Sequence, residues 1–198
     1  MKVLALASVL LLAGCSQNPA PPVAAPPAPI VTLCGADSPL AEVDRAALCA
    51  TRAALKETDL PNAWRAVGGP VARVILAPAG QPALSVRVVG NVMVVRRLSH
   101  GRFDVERIVA LSDGERHRLI DAGAAVWSAV PPLADAPTLV ACKAPSYIAA
   151  ETNLNGVVKF AVSRCVALKP LRDLADAYLA LASEKVPELK QGLEQSLD

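Results

Sequence analysis

Cysteine has the widest chemical options in this sequence, because a thiol can bind metal, act as a nucleophile, carry a lipid or form a disulfide. The five cysteines are Cys15, Cys34, Cys49, Cys142 and Cys165. No two of them have the C-x-x-C spacing of zinc and redox sites, and neither His100 nor His117 is close in sequence to a cysteine pair. The spacing therefore predicts no metal site and no cofactor.

Motifs that mark the common catalytic chemistries do not occur in the sequence. We find no G-x-S-x-G, no P-loop, no G-x-G-x-x-G and no H-E-x-x-H. Asp104 and Glu106 resemble a carboxylate pair, since alternate residues of a strand point the same way. Nearby arginines favour a salt-bridged surface instead, and His100 and His117 are both predicted to be solvated. We therefore expect no catalytic residue and no enzyme activity.

Arginine is concentrated in the middle of the chain, where eight arginines lie between positions 73 and 118 against four acidic residues. Guanidinium groups bind carboxylates and phosphates with paired donors, so such a cluster is a candidate anion-binding site. Its candidate residues are Arg87, Arg96 and Arg97. The competing interpretation, which we favour, is a wet sheet face of paired charges. The whole chain has a formal net charge of only +2, which gives no general field for nucleic acid.

The first fifteen residues have the organisation of an export signal. Lys2 is followed by a run, residues 3–12, that is apolar except for Ser8. As a helix this run would be about 15 Å long, too short for a bilayer core of about 30 Å, whereas secretory signals use such runs. The run ends in Leu12-Ala13-Gly14-Cys15, which resembles the lipobox of bacterial lipoproteins.

That resemblance implies cleavage before Cys15, diacylation of its sulfur and acylation of its new amino group. Two or three acyl chains anchor a protein firmly, whereas one binds only marginally. In this family an Asp after the lipidated cysteine favours the inner membrane. Ser16 at this position implies the periplasmic face of the outer membrane in a Gram-negative cell.

A spacer follows the predicted anchor. Residues 16–30 contain six prolines interleaved with alanine and no charge. Proline fixes φ and lacks a backbone donor, so this composition favours extended polyproline II over packed structure. Fifteen such residues reach roughly 45 Å, which predicts a semi-rigid tether that holds a domain off the membrane.

The four cysteines beyond the anchor are an even number in an exported chain, which predicts two disulfides with three possible connectivities. Sequence neighbours suggest Cys34–Cys49 and Cys142–Cys165. The loop-entropy account assigns about 3 kcal/mol to each.

Helical spacing of apolar residues and Ser38-Pro39 as its start predict a helix over about 39–57, with Cys49 in its middle. The predicted apolar stripe is Leu40, Val43, Ala47, Leu48, Thr51 and Leu55. Trp64 follows, as a core residue, before the break at residues 68–70.

From residue 71 the apolar period becomes two, which predicts strands over 71–77, 83–89, 92–98 and 102–111. Gly90-Asn91 fits a two-residue hairpin turn that pairs Val88 with Met93. For the next hairpin we predict a three-residue turn, residues 99–101. That turn places Val95 opposite Val105.

This register also assigns charge partners. Phe103 lies opposite Arg97, Arg96 faces Asp104, and Glu106 shares a polar face with Arg87.

A helix should follow the capping box formed by Ser112 and Glu115. We expect it to extend to about residue 127 and to bury one stripe: Leu119, Ile120, Ala124 and Trp127.

A second hairpin is predicted from strands over 146–152 and 157–166. A four-residue loop would pair Thr152 with Val157, which brings Cys142 within reach of Cys165. Pro170 then begins a helix with Leu171, Leu174, Tyr178 and Leu181 on one stripe, ending near Pro187. R-x-V-A-L occurs at both 107–111 and 164–168, so the two hairpin-plus-helix units share a short repeat.

These elements predict an α+β fold with an N-terminal helix and an antiparallel sheet covered by helices. The succession loosely resembles a group of uncharacterised exported bacterial proteins, a resemblance that implies no activity. The predicted segments are 1–14 signal, 15–33 lipidated tether, 34–69 stapled helical segment, 70–137 strands plus helix, 138–192 hairpin plus helix, and 193–198 tail.

The expected function is that of a non-catalytic binding, assembly or accessory lipoprotein of the cell envelope. Its expected partners are the membrane, through Cys15, and an envelope protein. The alternatives are an inhibitor or binder of small anionic ligands or polymers through the arginine-bearing sheet face, and an enzyme without a recognisable motif.

Overall fold

The computed structural model describes residues 31–67, 70–129, 146–154, 156–165 and 168–190. The predicted signal, Cys15 and most of the predicted tether lie outside these ranges, as does Cys142. The described residues form an α+β fold, with four helices and a six-stranded antiparallel sheet. None of the helices in these ranges is long and apolar enough to cross a bilayer.

One sheet contains all six strands, in the order β4-β3-β2-β1-β5-β6. The strands are β1 (Val71–Ala77), β2 (Ala83–Val89), β3 (Val92–Ser99), β4 (Arg102–Ala110), β5 (Tyr147–Leu154) and β6 (Val157–Arg164). β1 is a central strand that pairs with both β2 and β5. The two predicted hairpin-plus-helix units therefore share a continuous sheet.

The larger core lies between one sheet face and helices α3 (Asp113–Ala129) and α4 (Lys169–Lys185). Ser112 and Glu115 form the predicted capping box, since the Ser112 amide donates to Glu115 Oε2 at 2.7 Å and the Glu115 amide donates to Ser112 Oγ at 3.3 Å. The predicted α4 stripe is buried. A 3-10 turn, Pro187–Leu189, follows α4.

The opposite face is covered by α1 (Glu42–Ala54) and α2 (Leu60–Val67). The predicted Cys34–Cys49 disulfide is present and joins the incoming chain to the middle of α1. Leu33, which the sequence pattern assigned to the tether, is fully buried, so the packed domain already includes it.

Helix α1 is shorter than predicted, and the residues on its buried face differ from the predicted apolar stripe. It begins at Glu42, and no side chain caps its amino end. Val43 is exposed and Asp44 is buried, because Asp44 binds a strand residue described below. Trp64 belongs to α2, a helix that the sequence pattern did not predict, and its side chain lies outside the described atoms.

The β2–β3 hairpin has the predicted register, with Val88 opposite Met93, but the predicted β3–β4 register is wrong. Ser99 pairs with Arg102, and a bulge shifts the pairing so that Val95 lies opposite Arg107. The turn is therefore His100-Gly101, whose φ values of 50° and 75° suit a two-residue hairpin. That turn alone would reverse every β4 side chain, and the extra residue of the bulge restores the alternation that buries Val105.

The β5–β6 register also differs from the prediction. Leu154, not Thr152, lies opposite Val157, so Asn153 and Leu154, which the predicted four-residue loop would have left unpaired, belong to the β5–β6 ladder. The Cys165 amide donates to the Ser146 carbonyl at 2.8 Å. Cys165 is disulfide-bonded. The Cys142–Cys165 pairing stays a prediction, because Cys142 lies outside the described residues.

Candidate functional site

Glu57, in the connection between α1 and α2, lies at the centre of a buried group of arginines. Its Oε2 accepts from Nη1 of Arg73 at 3.1 Å and from Nη1 of Arg87 at 2.9 Å. Its Oε1 lies 3.4 Å from Nη1 of Arg96. These arginines come from β1, β2 and β3, so a residue between two helices contacts three neighbouring strands.

A second carboxylate, Glu151 of β5, extends the same group. Arg73 Nε donates to Glu151 Oε2 at 2.9 Å, and Arg73 Nη2 contacts the same oxygen. Arg52 of α1 lies 4.0 Å from Glu151 and forms a closer ion pair with Asp59. We call this set the arginine–glutamate network: Arg52, Arg73, Arg87, Arg96, Glu57 and Glu151.

The pKa shifts of two arginines in the network, Arg73 and Arg87, have opposite directions. Burial opposes the charge on Arg73, but Glu151 and Glu57 outweigh it and raise its pKa. Burial lowers the pKa of Arg87. The opposing attraction of Glu57, its carboxylate partner among the described residues, is offset by the neighbouring charges of Arg96 and Arg73. The arginine side chains are thus paired with carboxylates, and Glu57 is the shared partner of Arg73, Arg87 and Arg96.

Arg96 also stabilises the turn after α1. Lys56 has a left-handed φ of 53°, which ends the helix, and Arg96 Nη1 donates to the Lys56 carbonyl at 2.9 Å. A cation at a helix carboxyl end is favourable because it meets unpaired carbonyls. The network therefore fastens the α1–α2 connection to the sheet.

The three predicted anion-binding arginines do not form one site. Arg87 and Arg96 meet in the network, whereas Arg97 points to the other sheet face and binds Asp104 at 2.9 Å. The predicted partner of Arg96 was wrong: it pairs with Glu106 at 3.0 Å, because the bulge changes the register. The expected wet face is also incorrect, since the α1–α2 connection covers it.

Asp104 and Glu106 do not act as a pair, because they bind arginines on opposite faces of the sheet. His100 and His117 are both exposed, and His117 Nδ1 lies 2.8 Å from the Asp113 carbonyl. Among the described residues, no group of three or more His, Cys, Asp and Glu side chains is placed to hold a metal ion.

A smaller polar cluster on the same sheet face was missed by the sequence pattern. Tyr147 of β5 donates to Asp44 Oδ1 at 2.7 Å, and Arg164 Nη1 lies 3.3 Å from the same oxygen. Burial, with the hydrogen bond to Asp44, raises the pKa of Tyr147 to about 12. An Asp beside an apolar stripe is the only signal in the sequence, and it gives no partner.

The other sheet face carries an apolar cavity of about 110 Å³ between the sheet and α3. Its floor includes Ala72, Val74 and Ala150, and Leu174 and Tyr178 of α4 close one side. Water needs only ~10–15 Å³ of such volume, and an engineered apolar cavity of about 150 Å³ admits benzene. The enclosed space is therefore larger than a water site but smaller than this benzene-binding cavity, so it admits only a few methylene groups.

The cavity explains why the predicted burial of α3 was partly wrong. Leu119 is buried as expected and Trp127 partly so, but Ile120 and Ala124 are exposed. Val126, which the prediction omitted, is fully buried. Helix α3 therefore has two apolar stripes, one packed into the core and the other bordering the cavity.

Comparison with known proteins does not assign the chain to a family. No protein-family model matches the sequence. No curated protein matches it significantly.

Proposed function

We propose that this protein is a lipid-anchored, periplasm-facing lipoprotein of the outer membrane that acts as a binding, assembly or accessory module. The observation that carries this proposal is the order Leu12-Ala13-Gly14-Cys15, then an uncharged proline-rich segment, then a packed domain. Each part suits a domain that works at a distance from the surface that holds it.

The way the chain enters the domain supports the proposal. Leu33 is fully buried, and the next residue, Cys34, is covalently joined to Cys49 in α1. The last residue of the predicted tether is therefore held by packing, and the residue after it is held by a disulfide. A disulfide at this position also suits an oxidising compartment outside the cytoplasm.

Two exposed apolar side chains, at separate places on the molecule, are candidate contact points for a protein partner. The side chains of Ile108 on the edge strand β4 and Val43 on α1 are 73% and 65% exposed. The described arginines that formed the alternative anion-binding face are paired with carboxylates or carbonyl groups. We therefore favour a protein partner over an anionic polymer.

The anchor is tested with the full chain in a Gram-negative host that processes lipoproteins. Metabolic labelling with an alkyne fatty acid should label the wild type and not Cys15→Ser, which should leave the membrane without unfolding. Ser16→Asp should shift the protein from outer- to inner-membrane fractions. Membrane retention of unlabelled Cys15→Ser would contradict the anchor.

The binding role is tested by photo-crosslinking in intact cells from probes at positions 108 and 43. A recurrent partner at high yield from one probe position, lost in Cys15→Ser, is the expected result. Asp121, exposed on α3, provides a control position for random collisions. A lipidated, abundant protein that gives no adduct beyond this control would contradict a protein-binding function.

A further inference from the structure

One face of α3 borders the apolar cavity along its length. Arg116, Ile120, Gly123, Ala124 and Trp127 all border it. Their spacing of three or four residues places them on one face of the helix. From Arg116 to Trp127 there are eleven helical steps, which extend about 16 Å at 1.5 Å per residue. The cavity border is therefore elongated, with a cation at one end and an indole at the other.

The cavity opens to solvent through apolar side chains. Ile120 and Leu154 are 41% and 42% exposed and both border the cavity. Gly123 and Ala124 contribute almost no side-chain volume between Ile120 and Trp127. An exposed apolar opening that leads into an apolar space is the usual form of a small-molecule site.

Two polar groups of the lining have unused hydrogen-bonding capacity. Arg116 Nε is buried and has no hydrogen-bond partner among the described residues. The nearest described carboxylate, on exposed Asp113, is 3.9 Å away. Tyr178 borders the same cavity and is buried, and its hydroxyl forms no hydrogen bond with a described residue. Buried polar groups are normally paired, so these two are candidates to bind a ligand.

We propose that this cavity binds a single-chain amphipathic molecule with an anionic head group, whose head lies at Arg116 and whose chain extends along α3 toward Trp127. Arg116 would pair with a carboxylate or phosphate oxygen, because guanidinium donors match both. Tyr178 would donate a second hydrogen bond. The cavity would enclose a few methylenes of the chain, with a gain of about 0.8 kcal/mol for each one buried. The rest of the chain would lie against the exposed apolar opening at Ile120 and Leu154.

Calorimetric titration tests the proposal on the chain from residue 15 onward carrying Cys15→Ser, purified without detergent. The probes are laurate, dodecyl phosphate and dodecyltrimethylammonium, each below its critical micelle concentration. At least one anionic probe should bind with one-to-one stoichiometry, and the cationic probe should bind at least about tenfold more weakly. Tighter binding of laurate would assign a fatty acid, and tighter binding of dodecyl phosphate a phosphate monoester. Equal affinities would assign the anionic head group alone.

Variants separate this site from general adsorption of amphipaths. Arg116→Gln should weaken anionic binding about tenfold or more, whereas Arg118→Gln, exposed on the same helix and outside the lining, should not change it. Tyr178→Phe should weaken binding a few-fold without lowering thermal stability, because the hydroxyl has no described partner. Ala124→Phe should abolish binding by filling an accessible position.

Circular dichroism of each variant checks that it remains folded. The proposal fails if folded wild type binds neither anionic probe, if the cationic probe binds equally well, or if folded Ala124→Phe retains the wild-type affinity.

Discussion

Arg73 of β1 and Glu57 of the α1–α2 connection form an ion pair in which both side chains are fully buried and Nη1 lies 3.1 Å from Oε2. Removing charges from water costs several kcal/mol for each ion, so such a pair persists only with further partners. Glu151 supplies them to Arg73, and Arg87 and Arg96 supply them to Glu57. The pair therefore joins the α1–α2 connection to the sheet through buried charges that are stable only when they are paired with one another.

Glu57→Gln should destabilise the fold strongly, because three arginines would lose their shared carboxylate and Arg73 would keep a buried charge with one partner. Loss of one member of a buried pair costs about 3–5 kcal/mol. Denaturant unfolding monitored by circular dichroism gives the change in free energy. The matched control is Glu106→Gln, whose carboxylate is half-exposed and pairs with a single arginine, Arg96, among the described residues, so about 0–1 kcal/mol is expected. Equal effects of the two changes would contradict the central role of Glu57.

Replacing Cys34 and Cys49 together by serine should lower the free energy of unfolding by about 3 kcal/mol, because the bridge closes a loop of 15 residues in the unfolded chain. The comparison is made under non-reducing conditions, so that the disulfide of Cys165 is kept in both proteins. A reducing agent that eliminated the difference between variant and wild type would support this cause. An unchanged unfolding midpoint in the oxidised proteins would refute it.

Acid should weaken the contact between α3 and the end of α4. Hydrogen bonds from Lys185 and Ser112 lower the pKa of Glu115 from an ordinary 4.5 to about 2. A depressed pKa stabilises the fold above the unfolded value, and this stabilisation is lost as pH falls from about 4.5 toward 2. Glu115→Gln should therefore show a smaller fall in melting temperature than wild type over this range. Parallel pH profiles of the two proteins would contradict the linkage.

Alkaline pH should destabilise the fold through ionisation of Tyr147. Its pKa is raised from 10.0 to about 12 by burial and by Asp44. A raised pKa gives stability that is fully present below about 10 and is lost as pH rises toward 12. Tyr147→Phe should lower stability at neutral pH by about 1–3 kcal/mol, since Asp44 loses a donor, and should reduce the alkaline decline. Thermal unfolding between pH 7 and strongly alkaline conditions provides both measurements. A variant that matched the wild type in both respects would show that the hydrogen bond is dispensable.

Local patterns in the sequence predicted the local elements of the fold. Alternating apolar residues predicted β1 to β4, Ser112 with Glu115 predicted the start of α3, and the α4 stripe predicted its buried face. Both incorrect registers came from turns, and each differs from the prediction by two residues. A shift of two leaves every side chain on its predicted face, so the alternation of apolar residues does not reveal it. Nothing in the sequence distinguishes the two-residue turn with a bulge from the three-residue turn, since both bury Val105.

The candidate sites depend on contacts between distant residues, which no local pattern contains. In the sequence, Glu57 is only the last residue of the helix predicted over about 39–57, and its partners appear only when β1, β2 and β3 are placed around it. Ile120 looks like a core residue because its spacing fits the helix, and its exposure follows only from the space left above the sheet. Asp44 likewise acquires a role only when Tyr147 is brought beside α1.

The position of β1 between β2 and β5 affects the order in which the strands can pair during folding. The strands β1 to β4 form a meander from short-range contacts, but β1 also pairs with β5, and Arg73 meets Glu151 across 78 residues of chain. Closing so long a loop costs conformational entropy before the stabilising contacts between its ends can form, and this slows folding. Until β5 arrives, β1 is an open edge with unpaired backbone groups, the state in which sheets misassociate. If the chain is exported unfolded, as the proposed function requires, this interval would fall outside the cytoplasm, and any factor that protected the open edge would have to act there.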